Sequence, residues 1–212
     1  MTHPASPTFR TLDLGETLFS AQAEADTVFR VESGHILLFK TLPGQRRQIL
    51  AVLTAGDYFG LPVCGRRDCA AACLSPALVA EWPLAALPPR TLRLAAEAHL
   101  AAAMAAMLDL GRKTALERVA SFLMHLQRRR LDLPLRISLA ADCLGLRVET
   151  ISRALHQLQR DGIILNPAFD GTSMILNPAA LEQIAQGRTL GGALPARPLS
   201  SPPASLAPGS AI

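Results

Sequence analysis

The stretch of sequence that carries most of the structural information covers residues 138–162 and reads SLAADCLGLRVETISRALHQLQRDG. Apolar residues recur at helical spacing on both sides of Gly145, and a glycine there permits the tight turn that joins two helices. The pattern predicts a short helix, a turn, and a longer helix that ends at Gly162. The residues predicted to face inward are Ala140, Ala141, Leu144, Ile151, Leu155 and Leu158.

The outward face of the longer helix carries Glu149, Ser152 and Arg153, whose spacing places them on one side. A glutamate can accept from cytosine, an arginine can donate two bonds to guanine, and a serine can bond a base edge or a phosphate. We therefore predict a helix-turn-helix that reads the major groove of DNA. An ordinary surface ion pair between Glu149 and Arg153 is the alternative. The predicted DNA-binding residues are Arg147, Val148, Glu149, Thr150, Ser152 and Arg153.

The composition of the 212-residue chain agrees with DNA binding without requiring it. The net charge is +4, and all 21 basic residues except Lys40 and Lys113 are arginine, which suits phosphates and guanine edges. We find no glycine-rich phosphate loop, no HExxH motif and no serine nucleophile elbow, so we expect no enzyme. A binding or scaffolding module, whose helix-turn-helix contacts protein, remains the other alternative.

The region from residue 8 to residue 87 has short apolar runs separated by glycines, which predicts strands joined by turns. The strand-like segments are residues 28–31, 35–39 and 48–53, and the glycines at the predicted turns are Gly15, Gly34, Gly44, Gly56, Gly60 and Gly65. Regular spacing of this kind is typical of a small β-barrel or jelly roll.

Residues 90–110 contain no glycine or proline and are rich in alanine, leucine and methionine, which predicts a long helix. A narrow apolar seam runs along it, formed by Leu100, Ala103, Met107 and Leu110. Such a seam is buried either against its own domain or against the same helix of a second chain. The small alanines beside the seam favour a dimer.

Three segments resemble the CRP/FNR superfamily of transcription regulators, and specifically its FNR/FixK-like branch. They are residues 111–123, 144–146 and 148–153, and the AGDYFG sequence of residues 55–60, with Gly15, Glu16 and Gly34, is similar to the cyclic-nucleotide-binding-like β-roll of that family. The resemblance implies an α+β fold: an N-terminal β-roll (jelly roll), a long dimerisation helix, and a C-terminal winged helix-turn-helix.

The resemblance also implies a homodimer that binds double-stranded DNA at a palindrome with TTGAT-like half-sites and contacts RNA polymerase. The wing strands would be residues 163–165 and 173–176, with a turn at 166–172. The implied domains are a disordered N-terminus at 1–8, the β-roll at 9–88, the dimerisation helix at 89–111, the winged helix-turn-helix at 112–187 and a disordered tail at 188–212. No segment reaches the roughly 18 uninterrupted apolar residues of a membrane helix, so we expect a cytoplasmic protein.

Two departures from the family pattern matter. Leu61 stands where the cyclic-nucleotide members have a glutamate for the ribose, and no Arg-Ser or Arg-Thr pair follows, so cAMP is not the expected ligand. The first helix of the motif lacks the usual cap, for which Ser138 is a displaced candidate. The expected input is a redox or gas signal, and the alternative is a ligand-independent regulator controlled by its own abundance.

Four cysteines are candidates for that input: Cys64, Cys69, Cys73 and Cys143. The first three, spaced C-x4-C-x3-C, could bind an iron–sulfur cluster or metal with a fourth ligand, or could act as oxidation sensors. In the simpler alternative, Cys69 and Cys73 alternate into a strand core. Haem bound by His35 or His99 is a further alternative. Oxidation of Cys143, which lies inside the DNA-binding motif, could weaken DNA binding.

Overall fold

The computed structural model of the protein describes residues 6–129, 137–165 and 174–188. Residues 1–5 of the predicted disordered N-terminus and residues 189–212 of the predicted tail lie outside these residues. The predicted N-terminal segment extended too far, since Thr8 already begins the first strand and pairs with Glu81. Six strands precede the long helix: β1 (Thr8–Leu12), β2 (Thr17–Phe19), β3 (Thr27–Leu42), β4 (Arg46–Leu53), β5 (Tyr58–Phe59) and β6 (Ala70–Pro83). The helices and the remaining strands are α1 (Pro89–Arg112), α2 (Ala115–Arg128), α3 (Ile137–Leu144), α4 (Val148–Arg160), β7 (Ile164–Leu165), β8 (Met174–Ile175) and α5 (Pro178–Ala185).

The six N-terminal strands form one antiparallel sheet in which β1, β6, β3 and β4 are neighbours in that order. The short strand β2 also pairs with β6, and β5 pairs with β3. The sheet curls around an apolar core that includes Phe29 and Phe59. The partly buried Phe19 stacks with both rings, and the three ring centroids are 5.4 to 6.2 Å apart. This is the expected β-roll.

The longest strand differs from the prediction at Gly34. We expected a turn there between two strands, but β3 continues through Gly34 for 16 residues. The pairing register with β6 shifts on both sides of this glycine, whose φ is +77°. A β-bulge of this kind bends a strand without ending it, and glycine adopts the required backbone conformation at little cost.

Helix α1 leaves the β-roll at Pro89, where the fixed φ of proline suits a first helical turn. Among the side chains of α1 that the structure describes, Ala95 is the only buried one. The segment Pro89–Gly111 is long and apolar enough to span a membrane by length and composition, with a mean hydropathy of 1.3 over 18 residues. Exposed apolar side chains in such number are typical of an interaction surface.

The C-terminal unit begins at Thr114, which caps α2 together with Glu117. The Thr114 hydroxyl accepts from the Glu117 amide at 3.4 Å, and the Glu117 carboxylate accepts from the Thr114 amide at 2.9 Å. This reciprocal pair satisfies two amides at the helix start. By contrast, Ser138 is the second residue of α3 and does not precede the helix, so our prediction of a displaced cap there is wrong.

Helices α2 to α5 share one apolar core. The six residues predicted to face inward all belong to it or pack against it, and Ile151, Leu155 and Leu158 are almost completely buried. The periodicity of the opening stretch therefore predicted both helices of the motif and their inner faces.

The C-terminal core continues into the β-roll through Leu37 of β3 and Ile49 of β4. Next to these apolar contacts, the Gln48 side-chain amide donates to the Cys143 carbonyl at 3.2 Å, and Arg47 lies 3.4 Å from the Asp142 carboxylate. Strand β4 thus packs directly on α3, the first helix of the motif.

A second polar contact between the two units lies at the end of α2. The Arg129 guanidinium donates to the Asp57 carboxylate at 2.6 Å and to the Thr54 hydroxyl at 3.3 Å. Asp57 also accepts from the Thr54 amide, so the acceptor is held rigidly in its turn. Together with β4, this contact joins the two units at two separate points.

Candidate nucleic-acid interface

The two sides of α4 differ sharply in burial. The inner side carries Ile151, Ala154, Leu155 and Leu158, all buried, whereas Glu149 and Arg153 are exposed and Ser152 is half-buried. The apolar inner side anchors the helix, because burying each of the three large side chains, Ile151, Leu155 and Leu158, contributes about 1.5–3 kcal/mol. The structure therefore presents Glu149, Ser152 and Arg153 together on the free face of α4.

Glu149 and Arg153 do not form the surface ion pair that was the alternative interpretation, as far as the described residues show. The Arg153 Nε instead donates to the backbone carbonyl of Glu149 at 3.3 Å. No contact within 4.0 Å joins the two charged groups. The carboxylate and most of the guanidinium are thus free to meet base edges.

The start of α4 is suited to contact a phosphate. Arg147 is the N-cap residue in an extended conformation, and in the described part of the chain no side chain caps the helix. Exposed amides at a helix N-terminus bind anions through hydrogen bonds and the helix dipole. Val148 is 39% exposed beside them, and Thr150 is half-buried.

The turn between α3 and α4 is made by Gly145, whose φ is +61°. A Cβ at this position would lie 3.3 Å from the Gln48 Oε1 of the β-roll. The buried Leu144 precedes the turn and holds it on the C-terminal core. The orientation of α4 therefore depends on this glycine and on the strand β4 that packs beside it.

A short hairpin follows the motif where the wing is expected. Ile164 pairs with Ile175 and Leu165 pairs with Met174. The described strands are shorter than the predicted wing strands, and the predicted turn at residues 166–172 lies outside the described residues. Ile163, which was placed in the first wing strand, is buried just before it.

The predicted seam of α1 is open to solvent in the single chain. Leu100 is 62% exposed and Met107 is 72% exposed, with Leu110 also exposed. Sequence reasoning missed Met104, which is 59% exposed. Its position four residues after Leu100 and three before Met107 is the signal that could have identified it.

The four cysteines occupy different environments. Cys64 is exposed, Cys69 and Cys143 are partly buried, and Cys73 is buried. Within residues 6–129, 137–165 and 174–188, no three His, Cys, Asp or Glu side chains converge as a metal site. The spacing of Cys64, Cys69 and Cys73 along the chain thus does not become a cluster in space.

Burial controls the reactivity of three thiols. It raises the pKa of Cys69 and of Cys73, and it raises the pKa of Cys143 to about 12, with a smaller contribution from Asp142. Because the thiolate is the reactive species, these thiols are poor targets of peroxide in the folded chain. This burial weighs against the oxidation hypothesis for Cys143.

The two histidines considered for haem lie on different elements. His35 is in β3, its Nδ1 is 2.9 Å from the Ser75 hydroxyl, and burial lowers its pKa. His99 is in α1. His35 therefore already has a protein partner.

The interior of the β-roll near Gly60 is filled by Arg67, which is 3% exposed. Its guanidinium carbon lies 4.6 Å from the ring centroid of Phe19 and 5.2 Å from that of Phe29. The side chain donates to the Gly60 carbonyl and, at 2.9 Å, to the Thr27 hydroxyl. Stacking of an arginine on aromatic faces is favourable where water is excluded.

The surroundings of Gly60 depart from the cyclic-nucleotide pattern to which the β-roll is similar. Gly60 immediately precedes Leu61, which replaces the ribose-binding glutamate, and a Cβ at Gly60 would already lie 2.5 Å from the Arg67 Nη1. The space beside the Phe-Gly turn is therefore occupied by the protein's own cation. Leu61 carries no hydrogen-bond acceptor for a ribose hydroxyl, and the Arg67 guanidinium lies against the Gly60 carbonyl.

Both halves of the chain match known domain families. Residues 117–184 match the Crp-like helix-turn-helix domain, and residues 9–88 match the cyclic nucleotide-binding domain. The nitrogen fixation regulation protein FixK of Bradyrhizobium diazoefficiens is 33% identical over 189 residues, which cover 81% of this chain and 79% of FixK.

Two further relatives span most of the chain. The cyclic AMP receptor protein of Thermus thermophilus is 34% identical over 191 residues, covering 82% of this chain and 86% of that protein. The solved structure of FixK2 from Bradyrhizobium japonicum superposes with a TM-score of 0.77 at 30% identity, over 85% of this chain and 98% of the other. The likeness therefore extends over both domains and the helix between them.

Proposed function

We propose that this chain, which belongs to the CRP/FNR superfamily of DNA-binding transcription regulators and to its FNR/FixK branch, acts as a homodimer on a palindrome with TTGAT-like half-sites. The observation that carries the proposal is the free outer face of α4, where Glu149 and Arg153 are exposed and not paired with each other. Two-fold symmetry would place the half-sites about one helical turn apart. Family members are regulators rather than enzymes.

We assign the parts of the chain accordingly. Residues 9–88 would form the sensor-like β-roll, 89–111 the dimerisation helix and 112–187 the DNA-binding domain. Arg147, Val148 and Thr150 would contact the DNA backbone at the start of α4, while Glu149, Ser152 and Arg153 would read bases. RNA polymerase is the protein partner proposed from family membership, and the cytoplasm, where the DNA lies, is the proposed location.

The first prediction tests base reading by Arg153. Replacing Arg153 with alanine should reduce the preference for a TTGAT-type palindrome over a scrambled duplex by about tenfold or more, because a bidentate arginine contact contributes about 1–3 kcal/mol of discrimination. Competitive fluorescence anisotropy at fixed salt measures this ratio. Arg10→Ala is the matched control, because it removes an arginine of β1 that pairs with Glu16. Equal preference in the wild type and Arg153→Ala would contradict the assignment.

For the input, we propose a redox or gas signal rather than cAMP. The cation that fills the β-roll supports the exclusion of cAMP. Cys64 supports a thiol-based signal, since it is exposed and lines a surface pocket of about 310 Å³ together with Asp26 and Arg66. Peroxide would oxidise its thiol to a sulfenic acid and be reduced to water.

The second candidate is a ligand-independent regulator controlled by its own abundance. The burial of Arg67 among Phe19 and Phe29 favours it, because the protein itself supplies the contacts that an effector would make in the β-roll. Burial lowers the pKa of Arg67, whereas the Asp26 and Glu81 carboxylates raise it. A β-roll preorganised in this way needs no ligand to become rigid.

The second prediction separates these inputs. DNA affinity of the purified dimer should be unchanged by millimolar cAMP. If the thiol signal operates, peroxide should change that affinity severalfold in the wild type and in Cys143→Ser but not in Cys64→Ser. Anisotropy titrations before and after peroxide, with mass spectrometry of the thiols, make the measurement. If neither peroxide nor air changed the DNA affinity of any of the three proteins, the ligand-independent candidate would be favoured. An increase in DNA affinity on addition of cAMP would contradict both candidates.

A further inference from the structure

We propose that His156 is a further base-reading residue, whose Nε2 accepts a hydrogen bond from the exocyclic amino group of an adenine or a cytosine in the major groove. This inference rests on the proposed function, because it requires α4 to enter the groove. It adds a specificity-determining contact that the sequence motif did not include.

The position of His156 on α4 is the first observation. It follows Ser152 by four residues and Glu149 by seven. At about 100° per residue, this places its side chain within roughly 20° of Glu149 around the helix axis, between Ser152 and Arg153. His156 is exposed, as are Glu149 and Arg153. It therefore lies at the centre of the free face, about 10 Å further along the axis than Glu149.

The hydrogen bonding of the imidazole is the second observation. The His156 Nδ1 lies 2.7 Å from the backbone carbonyl oxygen of Ser152. A carbonyl oxygen has no proton to donate, so Nδ1 must carry the hydrogen of this bond. In the neutral imidazole the other nitrogen, Nε2, is then an acceptor. The backbone of α4 thereby sets which nitrogen of His156 can accept from the groove.

An acceptor in this place selects its partner by chemistry. In the major groove the hydrogen-bond donors on base edges are the amino groups of adenine and cytosine, whereas guanine and thymine present acceptors there. The Ser152 hydroxyl, 3.4 Å from the same Nδ1, adds a polar group next to the ring. Because the ring is already held by the carbonyl, little rotational freedom would be lost on binding.

Three charged residues share this face of α4 with His156 by their spacing. They are Glu149, Arg153 and Arg160, all exposed. The two arginines supply attraction for phosphates, so a contact with a base is the part left to His156.

The experiment removes the amino group from one base at a time. Duplexes carrying single base-pair changes across and beside each half-site identify the position at which His156→Ala alters the preference. At that position purine, which lacks the amino group of adenine, then replaces adenine, or a pyrimidinone replaces cytosine. We expect the wild type to lose about fivefold or more in affinity on this replacement, and His156→Ala to lose nothing further.

Three controls make the outcome decisive. His156→Gln keeps an acceptor and should retain part of the preference, Gln157→Ala removes a neighbouring exposed polar side chain and should not change it, and thermal melting checks the fold of each variant. The inference would be overturned if His156→Ala lost affinity equally for all duplexes, or lost none. In that outcome Arg153→Ala would still lose its preference for the palindrome, so the proposed function would stand. A wild type without sequence preference would instead overturn the proposed function.

Discussion

Replacing both Leu100 and Met107 with glutamate should convert the protein to a monomer and weaken its binding to a palindrome by about 100-fold or more. In the single chain these side chains are 62% and 72% exposed on α1, and a two-fold interface would bring each against its counterpart or near neighbour. Four buried carboxylates cannot be accommodated in such a seam. A dimer that has bound one half-site binds the second within the same complex, which raises its affinity by about 10²–10⁴-fold. A monomer loses this gain.

The matched control for this prediction is Leu94→Glu. Leu94 is also an exposed leucine of α1, at 51%, but its position is well over a quarter-turn away from the seam. The Leu94→Glu variant should remain dimeric and bind DNA as the wild type does. Sedimentation velocity and anisotropy on whole and half palindromes measure the two effects. A double-glutamate variant that remained dimeric would show that the exposed apolar face of α1 serves another purpose.

Replacing Gly34 with alanine should lower the free energy of unfolding of the β-roll by about 3 kcal/mol or more. Its φ of +77° is unfavourable for any residue with a Cβ, and that Cβ would lie 2.7 Å from the Ala77 Cα and 2.8 Å from the Ala77 Cβ. Both contacts are with the neighbouring strand β6, which cannot move without disturbing its pairing with β1. Strain and overpacking therefore add.

Gly44→Ala is a closely matched control, because Gly44 has the same φ of +77° but nothing within 4 Å of the added Cβ. It should cost only about 1 kcal/mol. The single tryptophan of the chain, Trp82, lies in β6 opposite Val28, so its fluorescence in a urea titration reports on the β-roll. Equal midpoints for the two variants would show that β3 and β6 are not packed at Gly34 as described.

Local sequence features were sufficient to predict most of the C-terminal unit. The inner face of α4 follows from the spacing of Ile151, Leu155 and Leu158, and the turn follows from Gly145. The Thr114–Glu117 capping box was not predicted, although it is equally local, since its two partners are three residues apart. The prediction was wrong at Ser138, because a serine can also occupy the first turn of a helix, where packing rather than capping decides the boundary.

In the β-roll, the same kind of reasoning was less successful. Short apolar runs separated by glycines predicted strands, but not that β3 would continue through Gly34, since a glycine with positive φ is found in bulges as well as in turns. The sequence around Arg67, which lies between Cys64 and Cys69, also did not indicate that this arginine would be buried inside the β-roll. Its partners, Thr27 and Gly60, come from other strands or turns, and no periodicity records such contacts.

The sequence by itself determined the class of the molecule. The features that indicate it are helical periodicity, one glycine turn and an outward carboxylate, hydroxyl and guanidinium. All of these are properties of a few consecutive turns of chain, so they can be identified without coordinates. Only the tertiary structure decided that β4 packs on α3, that Asp57 meets Arg129, that Arg67 fills the β-roll, and that three of the four thiols are shielded. These contacts join residues as many as 95 positions apart, as between Gln48 and Cys143. The physical reason is that burial depends on which distant surfaces meet, whereas helix and turn formation depends mainly on near neighbours.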